Sequence, residues 1–336
     1  MLRDLRVSCS PHISESRSTR SVMIDVIIGL VPAMAAAGYY FRIYALILIP
    51  TCVISAVVTE WLCSLIRKKE NSIGDFSAVV TGIILALSLP PSLPVWAAVV
   101  GSAFSIAIGK MVFGGLGSNI FNPAMVGRAF LTVSLGTLMT TWTVPASLDA
   151  TMSKIGPENT IHARTQATPL AFSKDAIKGK KEIDVVNEQI KAAITGEVGG
   201  CLGETSAIAL LLGGLYLLIR RTINIHIPLA VIVSSAVFAA IFYLINSEKY
   251  AQPIFHLTSG GLLLGAFFIA TDPVTAPLTP KGMWIFGIGI GALIMLIRIV
   301  GEYPEGVMYA VLLMNGVRPL IDRLCKWVPA GGKPKV

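Results

Sequence analysis

The sequence predicts an all-α polytopic membrane protein of about ten transmembrane helices, arranged as two inverted five-helix repeats with one long extracytoplasmic loop. Of its 336 residues, 54% are hydrophobic and only 14% are charged, and the mean hydropathy is +0.73. Soluble domains usually contain about 25% charged residues. Apolar runs of about 17 to 25 residues, long enough to cross a bilayer, follow one another along the chain. Short segments of the second half also repeat segments of the first half.

The first half begins with a polar arm, residues 1–21, in which the basic residues are Arg3, Arg6, Arg17 and Arg20. The apolar run after this arm continues into a second span without a small-residue cleavage site, so we expect an uncleaved first helix. Residues 22–144 form the first predicted membrane repeat. Its five spans are expected near Val22 to Tyr40, Ile43 to Ile66, Ile73 to Leu89, Leu93 to Val112 and Ile120 to Val144.

The long polar interval, residues 145–200, is the predicted extracytoplasmic loop. Isoleucine and valine recur within it at helical spacing, which predicts an amphipathic helix from about Glu182 to Thr195. This helix can lie on the membrane surface or pack against the rest of the loop. Residues 201–321 form the second predicted membrane repeat, and residues 322–336 form a tail. The spans of this repeat are expected near Leu202 to Ile219, Ile225 to Ile245, Ile254 to Thr271, Met283 to Val300 and Val307 to Leu320.

Lysine and arginine set the predicted orientation, because positive charge accumulates in the short cytoplasmic connections of membrane proteins. Here basic residues collect in the amino-terminal arm and after even-numbered spans: Arg67, Lys68, Lys69, Lys110, Arg220, Arg221, Lys281, Arg323 and Lys326. We therefore expect both termini in the cytoplasm and the 145–200 loop outside, in the cytoplasmic (inner) membrane of a bacterium. In this setting the formal charge of +8 orients the chain and does not indicate nucleic-acid binding.

Two stretches carry the similarity between the halves. Residues 82–90 can be aligned with residues 265–273, and each stretch then runs through further prolines to a tryptophan, Trp96 or Trp284. Arg128 and Arg318 fall at comparable places in the last span of each half. Because five spans separate the copies, equivalent segments must point in opposite directions across the bilayer. Short glycine- and proline-containing runs can also match by chance, so ancestry by repetition is one of two interpretations.

The proline-broken segments at corresponding places of the two halves, Gly82 to Pro94 and Gly265 to Pro280, indicate where a site inside the membrane would lie. The alternative is that each proline-rich turn only ends a span.

Ionisable residues inside the spans are a second indication of function, because burying a charge in hydrocarbon is costly. Glu60 is the most deeply placed acid, about two turns before Arg67, and we expect it to reach the basic residues there. The remaining acids near spans lie closer to span ends: Asp25, Asp272, Glu302 and Glu305. We assign none of them as an ion ligand.

The sequence indicates no catalytic residue and no metal site. The five cysteines are scattered, which is typical of packing residues, and the histidines are isolated.

The most specific motif lies in the long loop, at Arg164-Thr165-Gln166-Ala167-Thr168-Pro169-Leu170. Pro169 disfavours the helical region for Thr168 and biases it to an extended backbone, which is expected to present the hydroxyl outward. A threonine before a proline is common in loops, so this spacing alone predicts no function.

In a membrane protein, however, the motif resembles the flavin-attachment site of the NqrB/RnfD family. This family comprises one membrane component of the Rnf ion-pumping electron-transport complex and a related component of the sodium-pumping NADH:quinone oxidoreductase. In that family FMN is linked through its phosphate to a threonine hydroxyl in a [Ser/Thr]-x-Ala-Thr sequence. Thr165 to Thr168 fits, with Thr168 as the acceptor, although His162 stands where the broader pattern has an acid. Residues 10–13, 18–20 and 118–124 also resemble the family, so the similarity runs essentially end to end.

The resemblance implies a membrane flavoprotein subunit, active only within its complex, of an ion-translocating (Na+ or H+) ferredoxin:NAD+ oxidoreductase. Chain length and the wording of the motif favour this complex over the quinone reductase. The subunit would relay electrons through FMN bound covalently at Thr168 and through noncovalent riboflavin, with Thr271 and Asp272 as a possible wall of the riboflavin site.

The implied partners are the other covalent-FMN component of the Rnf complex (RnfG), its membrane subunits A and E, a flavin transferase and membrane lipid. The alternative from a different functional class is a flavin-free ten-span transporter of small solutes or ions, which composition and topology would suit equally well.

Overall fold

The computed structural model describes residues 17–68, 72–142, 168–179, 190, 194, 199–204 and 206–326. Within these residues the chain forms α-helices with short 3-10 and π segments, and it contains no strand. The all-helical prediction is therefore confirmed for the described part. The amphipathic helix predicted from Glu182 to Thr195 lies outside the described residues, apart from Ile190 and Ile194, which are both helical.

The first half contains six helices before the long loop. They are α1 (Thr19–Phe41), α2 (Ile43–Ile66), α3 (Ser77–Leu87), α4 (Val95–Ile106), α5 (Pro123–Ser134) and α6 (Gly136–Met139). A 3-10 turn, Ile73–Asp75, precedes α3, and α4 continues directly into a π-helical segment, Ala107–Met111.

The loop and the second half contain seven further helices in the described residues. They are α7 (Pro169–Ile177), α8 (Ala207–Ile219), α9 (His226–Ile245), α10 (Pro253–Thr258), α11 (Leu262–Leu264), α12 (Pro280–Ile299) and α13 (Val307–Leu324). A 3-10 turn, Leu202–Glu204, precedes α8, and α11 continues into a second π-helical segment, Gly265–Ile269.

Hydroxyl and amide side chains start several of these helices by accepting a hydrogen bond from a backbone N–H three residues later, which satisfies a donor that has no partner inside the helix. The capping residues are Ser18, Asn122, Thr168, Ser206 and Thr279. A proline follows three of them directly, and its fixed φ suits the first helical position.

Four helices, α1, α2, α9 and α12, are long and apolar enough to cross a membrane. The other predicted spans are shorter helices or are divided. The predicted span Ile254 to Thr271, for example, is split because the backbone turns at Gly260, whose φ of +71° favours glycine. The predicted span Ile120 to Val144 is likewise interrupted between α5 and α6 and ends near Thr140.

The two proline-broken segments lie at the centre of the fold. Nearly every residue of α3 and all of the Gly265–Ile269 segment are buried. Helices α2 and α4 pack against α3, while α9 packs against α12 and the π segment. Gly82 permits the contact between α2 and α3, because a Cβ there would lie 2.7 Å from Cα of Val53.

Contacts between α1 and neighbouring turns gather basic residues at one end of the bundle. The Arg17 guanidinium donates to the backbone oxygens of Arg220 (2.6 Å) and Arg221 (3.0 Å). Asp25 of α1 is 3.4 Å from Arg220, and Arg20 lies over the ring of Phe76. The amino-terminal end of α1, the start of α3 and the turn after α8 therefore lie on the same side.

Candidate functional site

Thr168 is the capping residue of α7. Its backbone is extended, with φ of −66° and ψ of 158°, as the following proline predicts. Its Oγ1 accepts a hydrogen bond from the Ala171 N–H at 3.2 Å, and the residue is only 5% exposed. The expected outward hydroxyl is therefore wrong, because capping turns the side chain back over the first turn of the helix.

Lys174 fixes α7 to the carboxyl-terminal end of α12. Its Nζ donates to the backbone oxygens of Ile297 (3.2 Å), Tyr303 (2.7 Å) and Gly301. Carbonyl groups at a helix carboxyl terminus lack partners inside the helix and favour a cation. Burial lowers the pKa of Lys174 to about 8, so the ammonium still keeps its charge at neutral pH.

Apolar contacts hold the same helix against α10. Leu170 and Ala176 form a buried cluster with Phe255 and Ala251. Leu170 also reaches the turn at Gly260, where an added Cβ would lie 2.5 Å from its Cδ1 atom. Helix α7 is thus seated directly on the turn that divides the α10–α11 segment.

A buried arginine lies beneath this seat. Arg298 of α12 donates to the carbonyl oxygens of His256 (2.6 Å) and Ser259 (3.1 Å) and lies 3.3 Å from both oxygens of Glu305. Glu305 in turn accepts from the Gly261 N–H at 3.0 Å. These contacts lock the Gly260 turn to the connection between α12 and α13.

A second buried pair, Arg128 and Glu204, adjoins the first, with 3.9 Å between Arg128 Nη2 and Glu204 Oε1. Burial alone would raise the pKa of Glu305, but the guanidinium groups of Arg298 and Arg128 outweigh it and hold that pKa below its ordinary value. Several buried polar atoms in this region have no hydrogen-bond partner within the described residues: Glu204 Oε1, His256 Nδ1, Ser259 Oγ and Arg298 Nε. Buried polar groups are normally paired, so these atoms can bind water or another polar group.

A narrow cavity of about 60 Å³, which we name the Phe267 cavity, lies between the two halves. Thr271 and Asp272 are part of its wall. Its lining also includes aromatic, amide and charged side chains: Phe267, Phe268, Asn119, Asn122 and Lys110.

Thr271 and Asp272 shape the wall through bonds within their own turn. The Thr271 hydroxyl donates to the Phe267 carbonyl oxygen at 2.6 Å. The Asp272 carboxylate accepts from the Val274 N–H and the Thr275 hydroxyl, each at 3.1 Å. Asn119 is different, because its Oδ1 is buried without a partner among the described residues.

Glu60 is fully buried, and its partner is not the basic group at Arg67 that the sequence led us to expect. Its Oε1 lies 2.7 Å from Nζ of Lys110, which is 1% exposed. Arg67 instead donates to the Met111 carbonyl oxygen at 2.5 Å. The π-helical turn at Ala107–Met111 places Lys110 inward, beside α2, and so changes the pairing.

Comparison with known proteins decides the family. The family model described as "NQR2, RnfD, RnfE family" matches residues 6–331. The chain belongs to this family.

Relatives of the same family match over nearly their whole length, and each is the component labelled D of its complex. The chain is 45% identical over 323 residues to that component of the Na(+)-translocating ferredoxin:NAD(+) oxidoreductase complex of Acetobacterium woodii, covering 96% of this chain and 94% of the relative. It is 43% identical to that of the proton-translocating ferredoxin:NAD(+) oxidoreductase complex of Clostridium ljungdahlii, with 97% and 96% covered. It is 38% identical to that of the ion-translocating oxidoreductase complex of Actinobacillus succinogenes, with 97% and 98% covered. Relatives named for different ions are thus about equally similar.

The residues of this NQR2, RnfD, RnfE family member can be tested for their fit to the two flavins implied by the sequence. A phosphate on Thr168 would lie at the amino terminus of a nine-residue helix, where backbone N–H groups and the helix dipole favour an anion. The Phe267 cavity offers aromatic faces, hydroxyls and the unpaired Asn119 oxygen, which suit a flavin ring and a ribityl chain. Its volume is below the roughly 300–1,000 Å³ of small-molecule sites, so its walls must move apart to admit one.

Several residues of these sites were missed by sequence reasoning. Lys174 and Arg298 carry no motif, and their acceptors are backbone oxygens brought close only by the fold. Lys110 was identified only as part of the charge bias. Its position in a predicted span was a signal that could have found it, because a lysine inside a span needs a partner.

Proposed function

We propose that this protein is the flavin-carrying membrane subunit of an ion-translocating ferredoxin:NAD+ oxidoreductase complex of the Rnf type. The near-complete coverage of relatives named for such complexes, at 45% and 43% identity, carries the proposal. The protein is not active alone, since nothing in its sequence suggests a nicotinamide-binding fold. Partner proteins, including the other FMN-carrying component, RnfG, and the membrane subunits A and E, would supply and remove electrons.

Thr168 is the proposed site of covalent FMN, joined through a phosphoester to Oγ1. FMN supplies a carrier that accepts and releases electrons one or two at a time. The chain contributes the hydroxyl, the helix amino terminus that favours the phosphate, and the contacts of Leu170 and Lys174 that fix α7 against α10 and α12. Because Thr168 is buried when α7 is docked, a flavin transferase must reach it before docking or during an opening of α7.

The Phe267 cavity is the proposed site of noncovalent riboflavin. Phe267 and Phe268 would contact the ring, and Asn119 would donate or accept at its polar edge. Thr271 and Asp272 hold the turn that forms one wall. The cavity is lined by both halves, which agrees with the position expected for a site in an inverted-repeat fold.

The proposed architecture has ten spans in two inverted repeats, residues 22–144 and 201–321, with the 145–200 loop outside and both termini in the cytoplasm. Two arginines support the inversion, because they fall at comparable sequence positions yet contact opposite ends of the bundle. Arg128 lies beside Cys201, near the seat of α7. Arg318 donates to the Val274 carbonyl oxygen beside Asp272, at the other end.

Mass and fluorescence test the proposed cofactors together. In a denaturing gel of protein produced with its flavin transferase, the wild-type band should fluoresce under ultraviolet light and the Thr168→Val band should be dark. The control Thr140→Val changes an exposed threonine and should fluoresce like wild type. Mass spectrometry should place FMN on the peptide from Thr165 to Lys174, and the extracted noncovalent fraction should contain riboflavin. An unmodified peptide from fully active complex would reject Thr168 and support a flavin-free transporter.

A further inference from the structure

A ring of hydrogen bonds surrounds the buried pair of Glu60 and Lys110. The Lys110 ammonium donates to Glu60 Oε1 at 2.7 Å and to the Ser77 hydroxyl oxygen at 2.6 Å. The Ser72 hydroxyl donates to the same Glu60 oxygen. The Ser77 hydroxyl donates to Asp75 Oδ1 at 2.5 Å. These five side chains, from α2, the α4 extension and the start of α3, are therefore joined without a break.

The ring separates two cavities. Lys110 and Ser77 line the Phe267 cavity. Ser72 and Asp75 line a second cavity of about 340 Å³, which we name the Arg67 cavity. Its remaining lining is Thr19, Ser64, Arg67, Met111, Gly114, Gly115 and Leu116. The Arg67 cavity is large enough for many water molecules and the Phe267 cavity for a few, since one water needs about 10–15 Å³.

Two observations indicate that this pair does more than hold helices together. Burying an ion pair is costly and commonly adds little to stability, so apolar residues would serve packing as well. Glu60 Oε2 is buried with no partner among the described residues, which leaves one side of the carboxylate open to a proton or a water molecule. Lys110 also lies in a π-helical segment, a distortion found frequently at functional sites.

We propose that Glu60 and Lys110 form a proton relay from the Arg67 cavity to the Phe267 cavity. The acceptor is an anionic reduced flavin in the Phe267 cavity, so this inference rests on the proposed function. The relay would neutralise negative charge that arises when electrons enter a site inside the membrane.

Each step moves one proton and no electron. Lys110 gives a proton to the anion and becomes a neutral amine. The Ser72 hydroxyl passes its proton to Glu60 Oε1 and takes another from water in the Arg67 cavity. Glu60 then returns its proton to Lys110 across 2.7 Å, which restores the ion pair. The net change is one proton lost from the Arg67 cavity and one bond to hydrogen gained by the acceptor.

The surrounding charges suit this direction of transfer. Asp75 faces the ring from the start of α3, and Arg67 lines the Arg67 cavity from the end of α2. Asp272 faces the other cavity from the turn after the second π segment. A carboxylate thus stands on each side of the Glu60–Lys110 pair.

The test measures proton uptake when flavin in the purified complex is reduced by dithionite in stopped flow with a pH-indicator dye. Variants Glu60→Gln and Lys110→Met should bind as much noncovalent flavin as wild type. Proton uptake should be about 100-fold slower in each, the scale of a lost general acid–base group. The double variant Glu60→Gln/Lys110→Met has no unpaired buried charge, so it should assemble even where a single variant does not, and it should be equally slow. The control Asp322→Asn breaks a partly exposed pair with Arg318 and should behave like wild type.

Two results would overturn the relay. If the double variant regains fast uptake that the single variants lack, the pair is structural. If all three variants take up protons at the wild-type rate, the path lies elsewhere. Absence of noncovalent flavin from the wild-type complex is recognised before any kinetics, and it would reject the proposed flavin site together with the relay that depends on it.

Discussion

Thr168 shows how far a single residue can be interpreted from sequence. Pro169 correctly predicts its extended backbone, because that preference comes from a local steric clash. The direction of its hydroxyl depends on which backbone donor needs a partner, and this follows only once Pro169–Ile177 is known to be helical. The partner of Glu60 was wrong for a similar reason, since Lys110 lies 50 residues away in sequence.

Lys174 is expected to decide whether α7 stays docked. Lys174→Met removes three hydrogen bonds from a charged donor to the end of α12 and should weaken docking by about 2 kcal/mol. Hydrogen exchange of the Pro169–Ile177 backbone should become faster, while FMN attachment at Thr168 should be retained. Lys178→Met is the matched control, because its ammonium is 48% exposed and pairs only with an exposed carboxylate. Equal protection in the two variants would mean that apolar contacts alone hold the helix.

At the scale of elements, the long uninterrupted apolar runs were predicted well. Helices α1, α2, α9 and α12 follow the expected spans to within a few residues. The divided segments were predicted less well, because hydropathy does not distinguish a continuous helix from two short helices around a buried turn. The Gly260 turn is stabilised by Arg298 and Glu305, which come from a different part of the chain.

Helices α1 and α8 meet at glycines, and this contact can be tested. A Cβ on Gly213 of α8 would overlap the backbone oxygen of Gly29 in α1, so Gly213→Ala must push the two helices apart. We expect a loss of stability of about 1–3 kcal/mol, as for other overpacked cores, and a lower melting temperature of the detergent-solubilised protein.

Gly38→Ala provides the comparison on α1 itself. Nothing lies within 4 Å of a Cβ at Gly38, so alanine should leave the melting temperature unchanged or raise it slightly by favouring the helix. Equal melting temperatures for Gly213→Ala and Gly38→Ala would show that α1 and α8 are not closely packed in the membrane.

At the scale of the whole molecule, the fold brings together residues that charge bias alone had assigned to one side. Arg17, Arg67, Lys110 and Arg220 all lie toward the end that holds the Arg67 cavity, although they come from four separate stretches. Helix α7 and the Arg298–Glu305 pair lie toward the other end. Composition predicted a membrane protein and charge bias predicted sides. The burial of two ion pairs next to the seat of α7 could not be predicted, because it requires the packing of both halves.

The orientation across the membrane is the last prediction, and exposed residues now allow a sharp test. In a background without the five native cysteines, Lys178→Cys lies on an exposed turn after α7, and Lys68→Cys lies on an exposed turn after α2. An impermeant maleimide added to intact cells should label position 178 and not position 68, and both should react after lysis. Ser173 would be a poor probe, because it is 3% exposed. Labelling of position 68 but not 178 in intact cells would reverse the topology. The Arg67 cavity would then open to the outside, so the proposed relay would draw protons from there, and Thr168 would face the cytoplasm.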